Sequence, residues 1–191
     1  MNNKNTLILV AGLMVMVFVA ASVFAYYPLS ITVSPVEPPV KFVAGKNANQ
    51  YDLNKDENGI SYKIDVKTYY DTRAEVTIHP TYQKTYYKDV LNITNVDDSK
   101  GYNVYIRVNS YNINLPSGSY ISLNIYDEQG YNFNTVNLTS SNQDMIKIGY
   151  LDRGMTWRVD IEVYIPEGSP LPSAAIANLQ LIYTPSNETP P

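Results

Sequence analysis

The residues best placed for chemistry are a small set of carboxylates, one imidazole and three asparagine motifs. Asp52, Asn54 and Asp56 carry oxygen ligands at the 1-3-5 spacing of a Ca²⁺ loop. The glycine such a loop needs at its sixth position is Glu57, and its twelfth position is Lys63 instead of a bidentate Glu. A polar turn and a weak Ca²⁺ site are both open readings, the turn being the simpler. Asp160 and Glu162 are two residues apart, which in a strand puts them on one solvated face. Glycoside hydrolysis needs two carboxylates across a cleft, and one open strand does not supply that. Asp97-Asp98 and Asp127-Glu128 sit beside turn residues and read as solvated. His79 is the only histidine and there is no cysteine, so multi-His sites, thiolate sites and Cys nucleophiles are excluded. No phosphate-binding loop, nucleophile elbow or zinc-protease motif occurs. The expectation is a non-enzyme with no cofactor.

Asn92, Asn137 and Asn187 each begin an Asn-x-Thr motif and are glycosylation candidates if the chain is exported. A net charge of −4 disfavours nucleic acid as a partner.

These residues need a frame, and past residue 25 the pattern is period two. In residues 60–67 (ISYKIDVK), Ile60, Tyr62, Ile64 and Val66 share one face. Val104, Ile106 and Val108 alternate with polar neighbours, as do Ile121, Leu123 and Ile125. Trp157, Val159, Ile161, Val163 and Ile165 form the longest such run. Further strands are expected near 74–79, 90–94, 133–138, 145–151 and 176–183. Gly59, Gly118, Gly130, Gly154 and Gly168 mark turns between them. The fold class expected is all-β, an antiparallel β-sandwich of jelly-roll or Ig-like style. The 18 tyrosines suit half-buried pleated positions. In the doublets Tyr69-Tyr70 and Tyr86-Tyr87, one ring of each should face outward if they lie in strands.

The N-terminal region is of another kind. Residues 7–25 are an apolar run, and Lys4 is the only charge before position 37. A cleaved signal peptide ending at Ala25 and an uncleaved membrane anchor both fit. Either places residues 26–191 outside the membrane. In residues 26–34, Leu29, Ile31 and Val33 alternate with Ser30, Thr32 and Ser34. Pro35, Pro38 and Pro39 follow and favour an extended, semi-rigid spacer. This strand could be the first of its own domain. It could also reach a second copy and complete its sheet, with pockets taking the three aliphatic side chains. Their full burial contributes on the order of 5–8 kcal/mol at about 1.5–3 each. Such donation is head-to-tail and need not close, so it grows a filament. The last long strands, 156–165 and 176–183, are the expected lining of the acceptor groove.

The layout resembles the TasA/camelysin-type fibre subunits, above all their archaeal relatives that form bundling pili. The resemblance rests on a signal ending at Ala25, the aromatic pair Tyr26-Tyr27 with its short strand, the Gly154 turn leading into residues 156–166, and a closing strand in residues 174–181. It implies a jelly-roll subunit polymerised by donor-strand complementation, serving adhesion or biofilm. It carries over no peptidase activity, since the metal motif for one is missing. The Pro-rich spacer departs from camelysin-like members.

Together these expectations divide the chain into residues 1–25 (signal or anchor), 26–39 (donor strand and spacer), 40–184 (sandwich) and 185–191 (tail). They describe an extracellular cell-surface filament subunit. Its partner is itself, as a homopolymer, with glycan on Asn and membrane contact only through the N-terminal segment. The competing expectation is an anchored cell-surface domain that binds through a Tyr-rich face.

Overall fold

The computed structural model describes Lys4 and residues 36–55, 58–112, 115–139, 145–172 and 174–185. The chain divides into two units, Met1–Val36 and Glu37–Pro191. Among the described residues twelve strands lie in the second: β1 (Val40–Ala44), β2 (Tyr51–Lys55), β3 (Ser61–Lys63), β4 (Asp65–Tyr69), β5 (Arg73–Ile78), β6 (Gln83–Asn95), β7 (Tyr102–Asn112), β8 (Tyr120–Tyr126), β9 (Asn132–Asn137), β10 (Ile146–Leu151), β11 (Thr156–Ile165) and β12 (Ala175–Thr184).

Two five-stranded antiparallel sheets form the body, in the orders β1-β6-β11-β8-β9 and β10-β7-β12-β5-β4, with β2-β3 as a separate hairpin. Eight of these strands interleave as β6-β11-β8-β9 over β5-β12-β7-β10. That connectivity is a jelly roll, which decides between the two sandwich styles. β1 and β4 extend the sheets at one side.

The alternating faces meet between the sheets. Trp157, Val159, Ile161, Val163 and Ile165 are all buried, and they pack in one cluster with Val104, Ile106, Ile125 and Leu179. The five glycines expected to mark turns all have positive φ, from 68° to 85°. Only glycine enters that region without steric cost, so the turn assignments have a backbone reason.

Residues 60–67 are not one strand. Ile64 interrupts them, its backbone paired to Asn49 and Gln50. Ile64 and Val66 enter the core, whereas Ile60 is 60% exposed on the hairpin.

β6 is irregular in a consequential way. Val159 pairs with Leu91, and Ile161 pairs with Tyr87. One residue of β11, Asp160, therefore spans three of β6: Lys88, Asp89 and Val90. The bulge puts Asp89 at φ 52° and turns its backbone amide out of the ladder. On the other side Gly45 N–H donates to Val90 O at 2.9 Å and Asn47 N–H to Asp89 O at 3.0 Å. A Cβ on Gly45 would lie 2.1 Å from Asp89 O, so only glycine fits this approach.

Candidate functional site

β1 pairs with β6 only from Asn95 to Leu91. After Ala44 the chain turns aside through Gly45–Asn47, held against the bulge. Residues 83–87 of β6 pair with β11 on one side. Among the described strands none pairs with them on the other. An edge with unpaired backbone groups is a template for another strand.

Beside this edge stands the β2-β3 hairpin. Between them runs a groove of about 240 Å³ lined by Asn47, Gln50, Tyr51, Leu53, Ile64, Tyr86, Tyr87 and Lys88. Tyr51 and Leu53 are 70% and 66% exposed, on the same face of β2. The groove thus joins a backbone edge to apolar walls, the two things an added strand uses.

A pair buried under the hairpin secures it. The Asp52 carboxylate accepts from His79 N–H at 2.6 Å and lies 3.1 Å from His79 Nδ1. It also accepts from Leu53 N–H at 2.7 Å. The Tyr62 ring stacks on His79 at 4.3 Å. The Asp52 side chain has no exposure. Asp52, the first ligand of the weak Ca²⁺ reading, thus lies in a strand and not in the polar turn favoured from sequence, and its carboxylate is engaged inside the protein. Asn54 lies in β2, and Asp56 lies outside the described residues.

A second network holds the other wall. Asp160, expected on a solvated face, is fully buried. Its Oδ1 accepts from Asp89 N–H at 2.7 Å, the amide that the bulge displaces. Its Oδ2 accepts from Tyr86 Oη–H at 2.6 Å. Arg158 donates to both oxygens, at 2.9 and 3.2 Å. The guanidinium also lies 4.4 Å from the Tyr126 ring centre, a cation–π stack. Burial, then the bonds to Asp160 and Tyr126, pushes the Tyr86 hydroxyl far above the usual phenol range, so it stays a donor. Burial and the nearby Asp52 carboxylate do the same for Tyr87, whose hydroxyl donates to His79 O at 2.9 Å. Tyr86 is 40% exposed and Tyr87 3%, as the alternation of that doublet requires. Tyr69 and Tyr70 are both exposed, because Tyr70 sits in a turn at φ 50°.

No protein-family model matches the chain, and no curated protein matches it in sequence. The site is therefore read from geometry.

The strands expected to line the acceptor are central in their sheets. β11 lies between β6 and β8, and β12 lies between β7, from Ile176 to Thr184, and β5, from Ala175 to Gln180. Leu29, Ile31 and Val33 lie outside the described residues, as does Asn187. Asn92 is half-buried within β6, and Asn137 is exposed at the end of β9. Sequence reasoning missed Tyr51, Leu53 and the 83–87 edge. The exposed apolar pair at 51 and 53 was the available signal.

Two carboxylates near the surface are held below their ordinary range. Asp97 accepts from Ser99 Oγ–H at 2.6 Å and Tyr102 Oη–H at 2.7 Å, and from the Ser99 and Lys100 amides. The Ser99 hydroxyl, then Tyr102, holds it well below the carboxylate range. The Tyr102 phenol is pushed up to about 12, chiefly by the bond to Asp97. Lys84 at 2.8 Å, then Tyr120 at 2.7 Å, lowers Glu162. Both groups bind protons less readily when folded. Their contribution is present above the unfolded pKa of about 4 and is lost as pH falls through the folded values. Thermal melts should therefore hold level from neutral pH to about pH 5 and fall below about pH 4. Asp97→Asn, which keeps an acceptor but cannot titrate, should flatten the acid limb; an unchanged limb would assign it elsewhere.

Proposed function

We propose that the chain is a non-enzymatic structural subunit of an extracellular filament. Each copy gives residues 26–34 to the groove beside residues 83–87 of the next copy. Adhesion or biofilm cohesion is the task such a filament serves.

One observation carries the reading: among the described residues, no strand covers β6 on one side at the end opposite the chain's entry into the sheet. The chain enters at Val40, opposite Asn95, with Pro39 O accepting from Val96 N–H at 2.8 Å. The open edge centres on Thr85, on the order of 30 Å away at about 3.3 Å per strand residue. A strand given at one end and received at the other makes a heterologous contact, which propagates instead of closing. Leu29, Ile31 and Val33 match a groove walled by Leu53, Tyr51 and Tyr86. The resemblance to TasA/camelysin-type subunits supports the same reading.

The buried polar clusters also fit a mechanical role. Asp52 and Asp160 spend their oxygens on backbone amides, an imidazole, a phenol and a guanidinium that shape the groove. The test is negative-stain electron microscopy of surface material and of the purified chain, with sequencing of its N-terminus. Filaments whose subunits begin at Tyr26 are expected. A monodisperse monomer retaining residues 1–25 would favour the anchored binding domain.

A further inference from the structure

We propose that Asn137 is an N-glycosylation site and that Asn92, which carries the same motif, is not. The inference rests on the export part of the reading above, since sugar transfer of this kind takes place outside the cytoplasm.

The two motifs differ in backbone setting. Asn137 closes β9, which among the described strands lies at a sheet edge and pairs with β8. It is exposed, and its Oδ1 accepts from Thr139 N–H at 2.9 Å and from Thr139 Oγ–H at 2.6 Å. The motif's hydroxyl and carboxamide are thus already side by side in an Asx turn. Leu138 between them is the anchor: its side chain is 2% exposed and its N–H donates to Ile121 O at 2.8 Å. The outer two residues of the motif sit at the rim while the middle one holds it to the body.

Asn92 lies mid-strand in β6, opposite Val43 of β1 and Arg158 of β11. Its Thr94 hydroxyl is 3.1 Å from the Thr156 hydroxyl on β11, so it is engaged across the sheet. A transferase would have to peel β1 from β6 to take this segment into an active site.

The transfer needs a lipid-pyrophosphate-linked oligosaccharide as co-reactant. Asn137 Nδ2 forms a bond to the anomeric carbon, the bond from that carbon to the pyrophosphate oxygen breaks, and the amide releases one proton to water. The lipid pyrophosphate leaves with the electron pair. An oligosaccharide there would stand at the end of the β9 edge and obstruct sideways strand pairing, a use of bulk where other edges use charge or proline.

The experiment is glycopeptide mass spectrometry on the full chain harvested from the cell surface. The peptide containing Asn137 should carry sugar, and the peptide containing Asn92 should be bare. Asn137→Gln and Thr139→Ala should each remove the added mass, Thr139→Ser should retain it at least in part, and Asn92→Gln should leave it unchanged. Sugar on Asn92, or a bare Asn137 on surface-exposed chain, overturns the proposal. Filament formation is scored separately by microscopy. A bare Asn137 in intact filaments sinks this inference alone, and a glycosylated monomer sinks the filament reading alone.

Discussion

Deleting residues 26–34 should abolish filaments and leave a folded monomer. Every described strand of the two sheets lies between residues 40 and 184, and so does every residue of the core cluster. The deletion therefore removes the strand to be given and keeps the receiving fold. Size exclusion should show one monomeric species with an all-β circular dichroism spectrum and no filaments in the microscope. A synthetic peptide of residues 26–34 should then bind this variant. At a hundred times its dissociation constant it should add about 2.7 kcal/mol. For a domain of this size that is a rise in Tm of roughly 5–10 °C. Ile31→Asp in the peptide should remove the effect, because a carboxylate cannot enter an apolar wall without a partner. Leu53→Asp in the sandwich should remove it from the other side. Filaments of normal width from the deletion variant would end the donor-strand reading. Peptide binding that is indifferent to Leu53 would keep donation but move the acceptor to one of the edge strands β1, β9, β10 or β4.

Sequence pattern and strand order point to different candidate acceptors. The strands of 156–165 and 176–183 are long and apolar because they are central, each covered by a strand on both sides. Length and hydrophobicity point toward the middle of a sheet and away from its edge. Strand order comes from pairing between residues far apart in the chain, which periodicity does not encode. What local pattern does encode was legible: the buried face from Trp157 to Ile165, and the five glycine turns. β1 and β2 escaped notice because VKFVA follows two prolines and YDLNK is charged and short. The first half of β6 escaped because the Tyr86-Tyr87 doublet and the Lys88–Val90 bulge break alternation. The same bulge hid the role of Asp160. Alternation places residues 158, 160 and 162 on the outer face, and there they are. Only the amide displaced from β6, together with the cover of Arg158 and Tyr86, makes 160 a buried position.

Asp160→Ala should be the most damaging single substitution away from the apolar core. It strands the Asp89 N–H in the interior, at about 1–3 kcal/mol for a buried donor left unpaired. It also removes the carboxylate partner of Arg158. That side chain is 27% exposed, so water can replace part of the loss, and the cost stays near the low end of about 3–5 kcal/mol for a broken buried pair. A total of roughly 4–6 kcal/mol is expected, which lowers Tm by about 10–20 °C in a domain of this size. Asp160→Asn should cost about half as much, because one oxygen can still accept from Asp89 while the new amide group faces donors on Arg158 and Tyr86. Adding Arg158→Ala to Asp160→Ala should cost less than the sum of the two, since the guanidinium no longer lacks a partner. Urea melts of the four variants measure these differences directly, and an Asp160→Ala protein as stable as the parent would show that the bulge closes by another route. The substitution also reaches the groove. Tyr86 lines it and is held there by its bond to Oδ2. With Asp160 gone the Tyr86 hydroxyl keeps only Tyr126, at 2.9 Å, and the wall of the groove loses its fixed position. Peptide affinity should therefore fall in Asp160→Asn even at temperatures where that variant is fully folded. That separates a groove shaped by the network from a network that serves stability alone.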